Sequence, residues 1–119
     1  MIRALIGLSR KPEVALLEFR QRLGPVLEEV LAVYCEAAQA SGFRVHFALQ
    51  VEETRRFQAI WGGSSPFDLI VEVFWADGPA CREGTASPRA LELARKLEAF
   101  NTLIDLERST LTYLQDPVQ

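Results

Sequence analysis

The stretch FDLIVEVFW, residues 67–75, is apolar at nearly every position, and only Asp68 and Glu72 interrupt it. A strand that is apolar on both of its faces is typical of the middle of a sheet, where other elements cover it. The run Gly62-Gly63-Ser64-Ser65-Pro66 comes directly before it and marks a turn. We therefore predict a central strand over residues 67–75.

Upstream of this strand, alternating and helical patterns follow one another. Apolar and polar side chains alternate over residues 2–9 and again over residues 43–52, which predicts the first and second strands. Between them, residues 13–40 place an apolar side chain every three or four positions, as in an amphipathic helix that ends at Ser41-Gly42. Gly24-Pro25 lies inside this helix and predicts a kink or two abutting helices. Because the apolar stripe keeps its register across the break, we expect the kink.

Downstream of the central strand, the pattern returns to a helix and then to a strand. Residues 53–66 are predicted without a regular element, whereas Ser87 suits the cap and Pro88 the first turn of a second helix. The inward stripe of this helix consists of Ala90, Leu93, Ala94, Leu97 and Phe100. A last strand is predicted over residues 106–114. The order of elements predicts an α+β protein of ferredoxin-like βαββαβ topology, with a four-stranded antiparallel sheet and both helices on one face.

This plan leaves one face of the sheet without a helical layer. If the helices cover the Phe43 side of the second strand, the opposite face presents Ile70 and Phe74 beside His46 and Glu72. A second sheet is the simplest cover for such a mixed face. We therefore predict a homodimer through the sheet faces, which forms a dimeric α+β barrel.

Composition places the chain among ordinary globular proteins. It has 119 residues, of which 49% are hydrophobic and 24% charged, as expected for a single domain over residues 1–119. Thirteen basic and sixteen acidic residues give a net charge of -3, which disfavours nucleic acid as a partner. Because no apolar run reaches the roughly 20 residues of a membrane span and no export signal is recognisable, we expect a cytoplasmic protein without membrane contact. Cys35 and Cys81 lack metal-binding spacing, and one histidine with scattered carboxylates does not make a metal site, so we expect no metal. The sequence contains no dinucleotide-binding fingerprint, and we expect no cofactor.

Several motifs, in the same order along almost the whole chain, resemble those of the EthD-like family. They are Arg10-Lys11-Pro12, Glu18-Phe19-Arg20, residues 66–77 (PFDLIVEVFWAD), Ala86-Ser87-Pro88 and residues 103–109 (LIDLERS). The family belongs to the dimeric α+β-barrel proteins, so the resemblance implies the same fold and a homodimer. Its members are linked to ether degradation and to cofactor-free oxidation or cyclisation of aromatic compounds. The resemblance thus implies that this chain binds or transforms a small apolar or aromatic molecule.

The chain departs from the family in its first helix. The family usually carries a histidine and a proline in the second half of that helix, where this sequence has Leu27 and Glu29. The single histidine of the chain, His46, belongs to the second strand. The role of the family's helix histidine therefore has no counterpart here. The alternative function is a non-catalytic ligand-binding or structural homodimer.

Two residues are candidates for catalysis. His46 lies on the polar face of the second strand, and an imidazole that lines a pocket can act as a general base or acid. Glu72 lies among apolar residues of a central strand, where it could carry a proton. The alternative interpretations are a hydrogen-bonded structural histidine and a carboxylate paired with an arginine such as Arg44 or Arg108. Two further carboxylates, Asp68 and Asp105, are expected to fix the ends of loops and strands.

Aromatic side chains are the candidates for holding a ligand. Tyr34, Trp61, Trp75 and Phe100 are predicted to flank the space between helices and sheet, and small molecules are usually held in apolar pockets with a few polar groups. Core packing is the alternative explanation for these four residues. A pocket between helices and sheet that also reaches His46 or Glu72 would favour an enzyme.

Overall fold

The computed structural model describes residues 1–48, 52–61, 67–96 and 102–116. Its elements are β1 (Ile2–Leu8), α1 (Leu16–Ala37), β2 (Gly42–Phe47), α2 (Glu52–Trp61), β3 (Leu69–Trp75), α3 (Gly78–Thr85), α4 (Pro88–Lys96) and β4 (Thr110–Gln115). The strands form an antiparallel sheet in the order β2-β3-β1-β4. This arrangement confirms the predicted ferredoxin-like α+β plan.

The central strand β3 presents one face to the helices and one away from them. Leu69, Val71, Val73 and Trp75 are at most 1% exposed, and they form the core together with the inward side of α1. The alternate positions Ile70, Glu72 and Phe74 are only partly buried. In the register, Val45 of β2 pairs with Val71, and His46 pairs with Ile70. The predicted assignment of residues to the two faces is therefore confirmed; we call the face that carries Glu72 the open face.

Helix α1 runs through Pro25 as one uninterrupted helix instead of two abutting ones. Phe19, Leu23 and Leu27 of the predicted apolar stripe are buried, and Leu31, which the prediction did not include, is buried as well. The helix ends earlier than Ser41-Gly42, because Gln39 adopts a left-handed φ of 54° and Ala40 N donates to Cys35 O at 2.9 Å. This backbone pattern is a Schellman motif with glutamine where glycine is usual.

The region after β2 differs from the prediction. The strand ends at Phe47 rather than continuing to residue 52, and residues 52–61, predicted as irregular, form helix α2. Two acidic residues in its first turn complement the helix dipole, and Arg56 Nε lies 3.5 Å from Glu52 Oε1 one turn away. The predicted strand positions Leu49 and Val51 lie outside the described residues.

Two helices, not one, follow β3. The Asp77 carboxylate accepts a hydrogen bond from Ala80 N at 2.8 Å and caps α3, which the prediction lacked. Helix α4 begins at Pro88 as predicted, and Ser87 Oγ accepts from Ala90 N at 3.2 Å. Leu97 and Phe100, predicted to continue its stripe, lie outside the described residues. None of the helices in the described ranges is long and apolar enough to cross a membrane.

The last strand begins later than predicted: residues 106–108 form a 3-10 turn, and β4 starts at Thr110. This segment is tied to the end of β1, where Asp105 N donates to Ser9 O at 2.8 Å. Nearby, Asp68 Oδ2 accepts from Arg10 N at 2.8 Å, and Asp68 Oδ1 lies 3.4 Å from Arg10 Nε. The Asp68 carboxylate thus fixes the end of β1, as predicted, whereas Asp105 acts through its backbone and its side chain does not cap the 3-10 turn.

Candidate ligand-binding site

Two adjoining apolar cavities lie on the helix side of the sheet, between α1 and strands β1 and β4. The smaller has a volume of about 140 Å³ and the larger about 310 Å³, and Ile6, Leu31 and Leu111 line both. Leu111 of β4 is 56% exposed although it faces the helix layer. The cavities therefore arise where α1 and α4 cover β3 and β1 but leave the inner side of the edge strand β4 open.

Three aromatic side chains form part of the wall of the smaller cavity: Tyr34 of α1, Trp75 of β3 and Tyr113 of β4. Trp75 is 1% exposed, and its Nε1 donates to Ala38 O at 3.1 Å, which fixes the indole. The centroids of the Trp75 and Tyr113 rings are 6.4 Å apart, with the ring planes tilted by 46°. Tyr113 is half exposed and so marks the edge of the cavity.

The two tyrosine hydroxyls are the distinctive polar groups of this cavity. Tyr34 and Tyr113 are the only tyrosines of the chain, and neither hydroxyl has a hydrogen-bond partner among the described residues. Burial raises the pKa of Tyr34, and the nearby Tyr113 raises it further; burial also raises the pKa of Tyr113. Both phenols are therefore protonated at neutral pH and able to donate hydrogen bonds.

None of the described residues that line these cavities is charged. The neighbouring thiols are also neutral, because burial raises the pKa of Cys35 to about 11 and raises that of Cys81. Within the described ranges, no three His, Cys, Asp or Glu side chains come together as a metal site. The cavities thus suit an uncharged, largely apolar molecule.

The candidate catalytic residues lie on the open face, on the other side of the sheet from the cavities. His46 Nε2 is 3.3 Å from Glu72 Oε1, and Arg3 Nη1 is 3.6 Å from Glu72 Oε2. Arg3 Nε also lies 3.5 Å from Asp116 Oδ1. Glu72 thus contacts His46 and an arginine of the same chain, as the alternative interpretation expected in kind, although this arginine is Arg3.

Apolar side chains accompany this charged group on the open face. The guanidinium carbons of Arg3 and Arg44 lie 5.2 Å and 5.4 Å from the centroid of the Phe74 ring, one from each neighbouring strand. Ile70 lies along the same face of β3. The open face therefore has apolar side chains at its centre. Most of the ionisable side chains described around them contact a partner of the same chain.

The structure brings together only some of the predicted site residues. Tyr34 and Trp75 share the smaller cavity, whereas neither His46 nor Glu72 lines it. Trp61 is the last residue of α2, but its side chain is not described, and Phe100 lies outside the described residues. The prediction missed Tyr113; the alternation of Leu111 and Tyr113 with threonines on the last strand is the signal that identifies it.

Comparison with known proteins supports the fold. The sequence matches no protein-family model and no curated protein. An EthD family protein from Bacillus halodurans superposes with a TM-score of 0.61 at 16% identity, over 98% of this chain and 100% of that one. The cofactor-independent oxygenase SnoaB from Streptomyces nogalater gives 0.57 at 15% identity, over 99% and 94%. A dimeric protein of unknown function and ferredoxin-like fold from Bacteroides fragilis gives 0.60 at 6% identity, over 97% and 95%. This chain therefore has the ferredoxin-like α+β fold that the EthD family protein and SnoaB also adopt.

Proposed function

We propose that the protein binds a small apolar or aromatic molecule in the two cavities between α1 and the sheet. The observation that carries this proposal is the pair of adjoining cavities whose lining has aromatic side chains at one end and no ionised group among the described residues. The shared fold with an EthD family protein and with a cofactor-independent oxygenase supports a role with small molecules.

Binding can be tested with N-phenyl-1-naphthylamine, an uncharged aromatic probe whose fluorescence rises in apolar surroundings. We expect saturable binding to the wild-type protein. Leu111→Trp should weaken it about tenfold, because Leu111 lines both cavities and is exposed enough to accept a larger side chain without strain.

Leu17→Trp is the matched control, since Leu17 is 66% exposed near the start of α1 and lines neither cavity. Its affinity for the probe should stay at the wild-type value. Absence of saturable binding to the wild-type protein, or equal affinities for the two variants, would contradict the proposed site.

We also propose that the open face pairs two copies of the chain. Leu5, Ile70 and Phe74 form its partly buried apolar part, and the fold neighbour from Bacteroides fragilis is described as dimeric. Face-to-face packing would cover these side chains and leave the cavities on the outer, helical side of each sheet. Light scattering at micromolar concentration tests this proposal, and the mass of a monomer would refute it.

A second candidate function is cofactor-free oxidation, cyclisation or degradation of a substrate at the open face. Its support is the His46–Glu72 contact of 3.3 Å, because a carboxylate that holds one imidazole nitrogen leaves the other free to act as a general base. The substrate would then bind between the paired sheets and not in the cavities. Turnover that survives both His46→Ala and Glu72→Gln would exclude this candidate.

A further inference from the structure

We infer that the ligand is an uncharged molecule with a hydrogen-bond acceptor, such as a ketone, at one end and a saturated hydrocarbon chain at the other. The acceptor lies between Tyr34 and Tyr113, and the chain extends past Leu111 into the larger cavity. This inference rests on the proposed binding function and specifies the class of ligand.

The position of the polar end of the ligand is inferred from the side-chain donors that have no hydrogen-bond partner among the described residues. In the smaller cavity, the Trp75 indole already donates to Ala38 O. Among the described residues that line this cavity, the hydroxyls of Tyr34 and Tyr113 are the remaining side-chain donors. Both side chains line this one cavity, Tyr34 from α1 and Tyr113 from β4. Two neighbouring neutral donors suit one carbonyl oxygen, which has two lone pairs to accept them.

The hydrocarbon end is assigned from the larger cavity. Its described lining is aliphatic apart from Ser109 and Thr110, and it includes no aromatic side chain. Ser109 Oγ already donates to Asp105 O at 2.8 Å and accepts from Ser9 N at 3.3 Å. Thr110 pairs with Gly7 in the register, so its side chain belongs to the open face. The larger cavity therefore offers a ligand apolar contact area. The described residues that line it have no hydroxyl group free to donate a hydrogen bond.

Charged ligands fit this arrangement poorly. A carboxylate or an amine placed in either cavity would lose its hydration without meeting an opposite charge among the described lining residues. A ketone of the same shape loses less hydration and gains the two phenol hydrogen bonds. The order of affinity should therefore be ketone, then hydrocarbon, then carboxylate.

Three probes of similar shape test this order by displacing N-phenyl-1-naphthylamine: octanophenone, octylbenzene and 4-octylbenzoate. We expect octanophenone to bind about tenfold more tightly than octylbenzene, as two net hydrogen bonds allow. Tyr34→Phe and Tyr113→Phe should each weaken octanophenone severalfold, and the double variant should bind the two neutral probes equally. The affinity for octylbenzene should stay unchanged in all of these variants.

The chain-length comparison tests the other end of the ligand. Affinity should rise about fourfold per added methylene from acetophenone to octanophenone. In Leu111→Trp this rise should flatten, because the larger side chain narrows the junction of the cavities, so octanophenone should lose more affinity than acetophenone. A thermal melt of each variant identifies any that fails to fold, and Tyr113→Phe, at a half-exposed position, is the variant least affected by repacking.

Failure of the inference and failure of the proposed function give different results. If octylbenzene and octanophenone bind equally to the wild-type protein, the cavities bind apolar molecules and the assignment of the acceptor is wrong. The same conclusion follows if 4-octylbenzoate binds most tightly. If N-phenyl-1-naphthylamine binds saturably but none of the neutral probes displaces it, the inference about the ligand is wrong. If N-phenyl-1-naphthylamine itself shows no saturable binding, the proposed function is wrong.

Discussion

The two faces of the sheet use the same strands for different purposes. On the helix side, Val71 and Trp75 are 1% exposed and polar groups are almost absent, so water is excluded from β3. On the open face, the Glu72 side chain is 22% exposed and the His46 side chain 49%, and His46 Nε2 lies 3.3 Å from Glu72 Oε1. The two apolar cavities formed by the described residues on the helix side lie beside the edge strand β4. The comparison teaches that the apolar cavities and the charged group are separated by the thickness of one sheet.

The largest loss of stability is expected where α3 packs against the end of α1. A Cβ at Gly84 would lie 1.7 Å from Ala38 O, a backbone atom at the end of α1 that also accepts the Trp75 hydrogen bond. Gly84→Ala should therefore push α3 away from α1 and lower the free energy of unfolding by about 3 kcal/mol or more. Urea denaturation measures this loss.

Gly42→Ala is the matched control for that experiment, because nothing lies within 4 Å of a Cβ at Gly42. It should change the free energy of unfolding by less than about 0.5 kcal/mol. Equal losses in the two variants would mean that the close approach of α3 to the end of α1 does not limit the stability of the fold.

The next effect concerns association through the open face. Ile70→Lys places an ammonium group on the apolar part of this face, where the proposed pairing of sheets would bury it. We expect the dissociation constant of the homodimer to rise about thirtyfold, equivalent to about 2 kcal/mol. Sedimentation equilibrium measures it. Ile60→Lys is the control, since Ile60 is 79% exposed on α2, and an equally weakened dimer there would refute pairing through the open face.

Much of this comparison could be predicted from the sequence, because alternation along a strand assigns each side chain to a face. The separation of Val71 from Glu72 is such a case. The approach of Gly84 to Ala38 could not be predicted, because it depends on how two helices that are distant in sequence pack together. The pairing of Glu72 with Arg3 could not be predicted either, because it depends on the strand order and register, which bring β1 beside β3.

Less of the candidate binding site than of the fold could be predicted from the sequence. Tyr34 and Trp75 were identified because buried aromatic residues are typical of a pocket between layers. Tyr113 was missed although Leu111 and Tyr113 alternate with threonines on β4, because that alternation defines one face of the strand but does not show that this face lines a cavity. The two described cavities do not meet the condition that would favour an enzyme, a pocket between helices and sheet that also reaches His46 or Glu72, because strand alternation places Trp75 and His46 on opposite faces.

An alkaline titration can test the helix side alone, because the only two tyrosines of the chain belong to the smaller cavity. Absorbance at 295 nm should show both phenols ionising above their ordinary pKa of 10.0. Raised folded-state pKa values mean that the folded protein holds these protons more tightly than the unfolded chain. Stability is therefore fully present below the unfolded pKa and falls as pH rises.

Cys35 should act in the same direction, since burial raises its pKa from 9.0 to about 11. Denaturation midpoints should thus decline between about pH 9 and 11, and Cys35→Ala should reduce part of that decline. A bound ketone should raise the pKa of the tyrosines further, because it accepts hydrogen bonds only from protonated phenols. Tyrosines that titrate at 10.0 in the folded protein would contradict their burial.

The smallest effect should follow from neutralising the charged group of the open face. Glu72→Gln keeps the shape of the side chain but removes the charge that contacts His46 and Arg3, while Arg3 keeps Asp116 as its partner. Because these partners are substantially exposed, we expect a loss of only about 0.5 kcal/mol in the free energy of unfolding. The affinity of the cavities for N-phenyl-1-naphthylamine should stay within about twofold, since the substitution lies across the sheet from them. A large loss of probe binding would show that the two faces are coupled, and a loss of turnover with probe binding intact would favour catalysis at the open face.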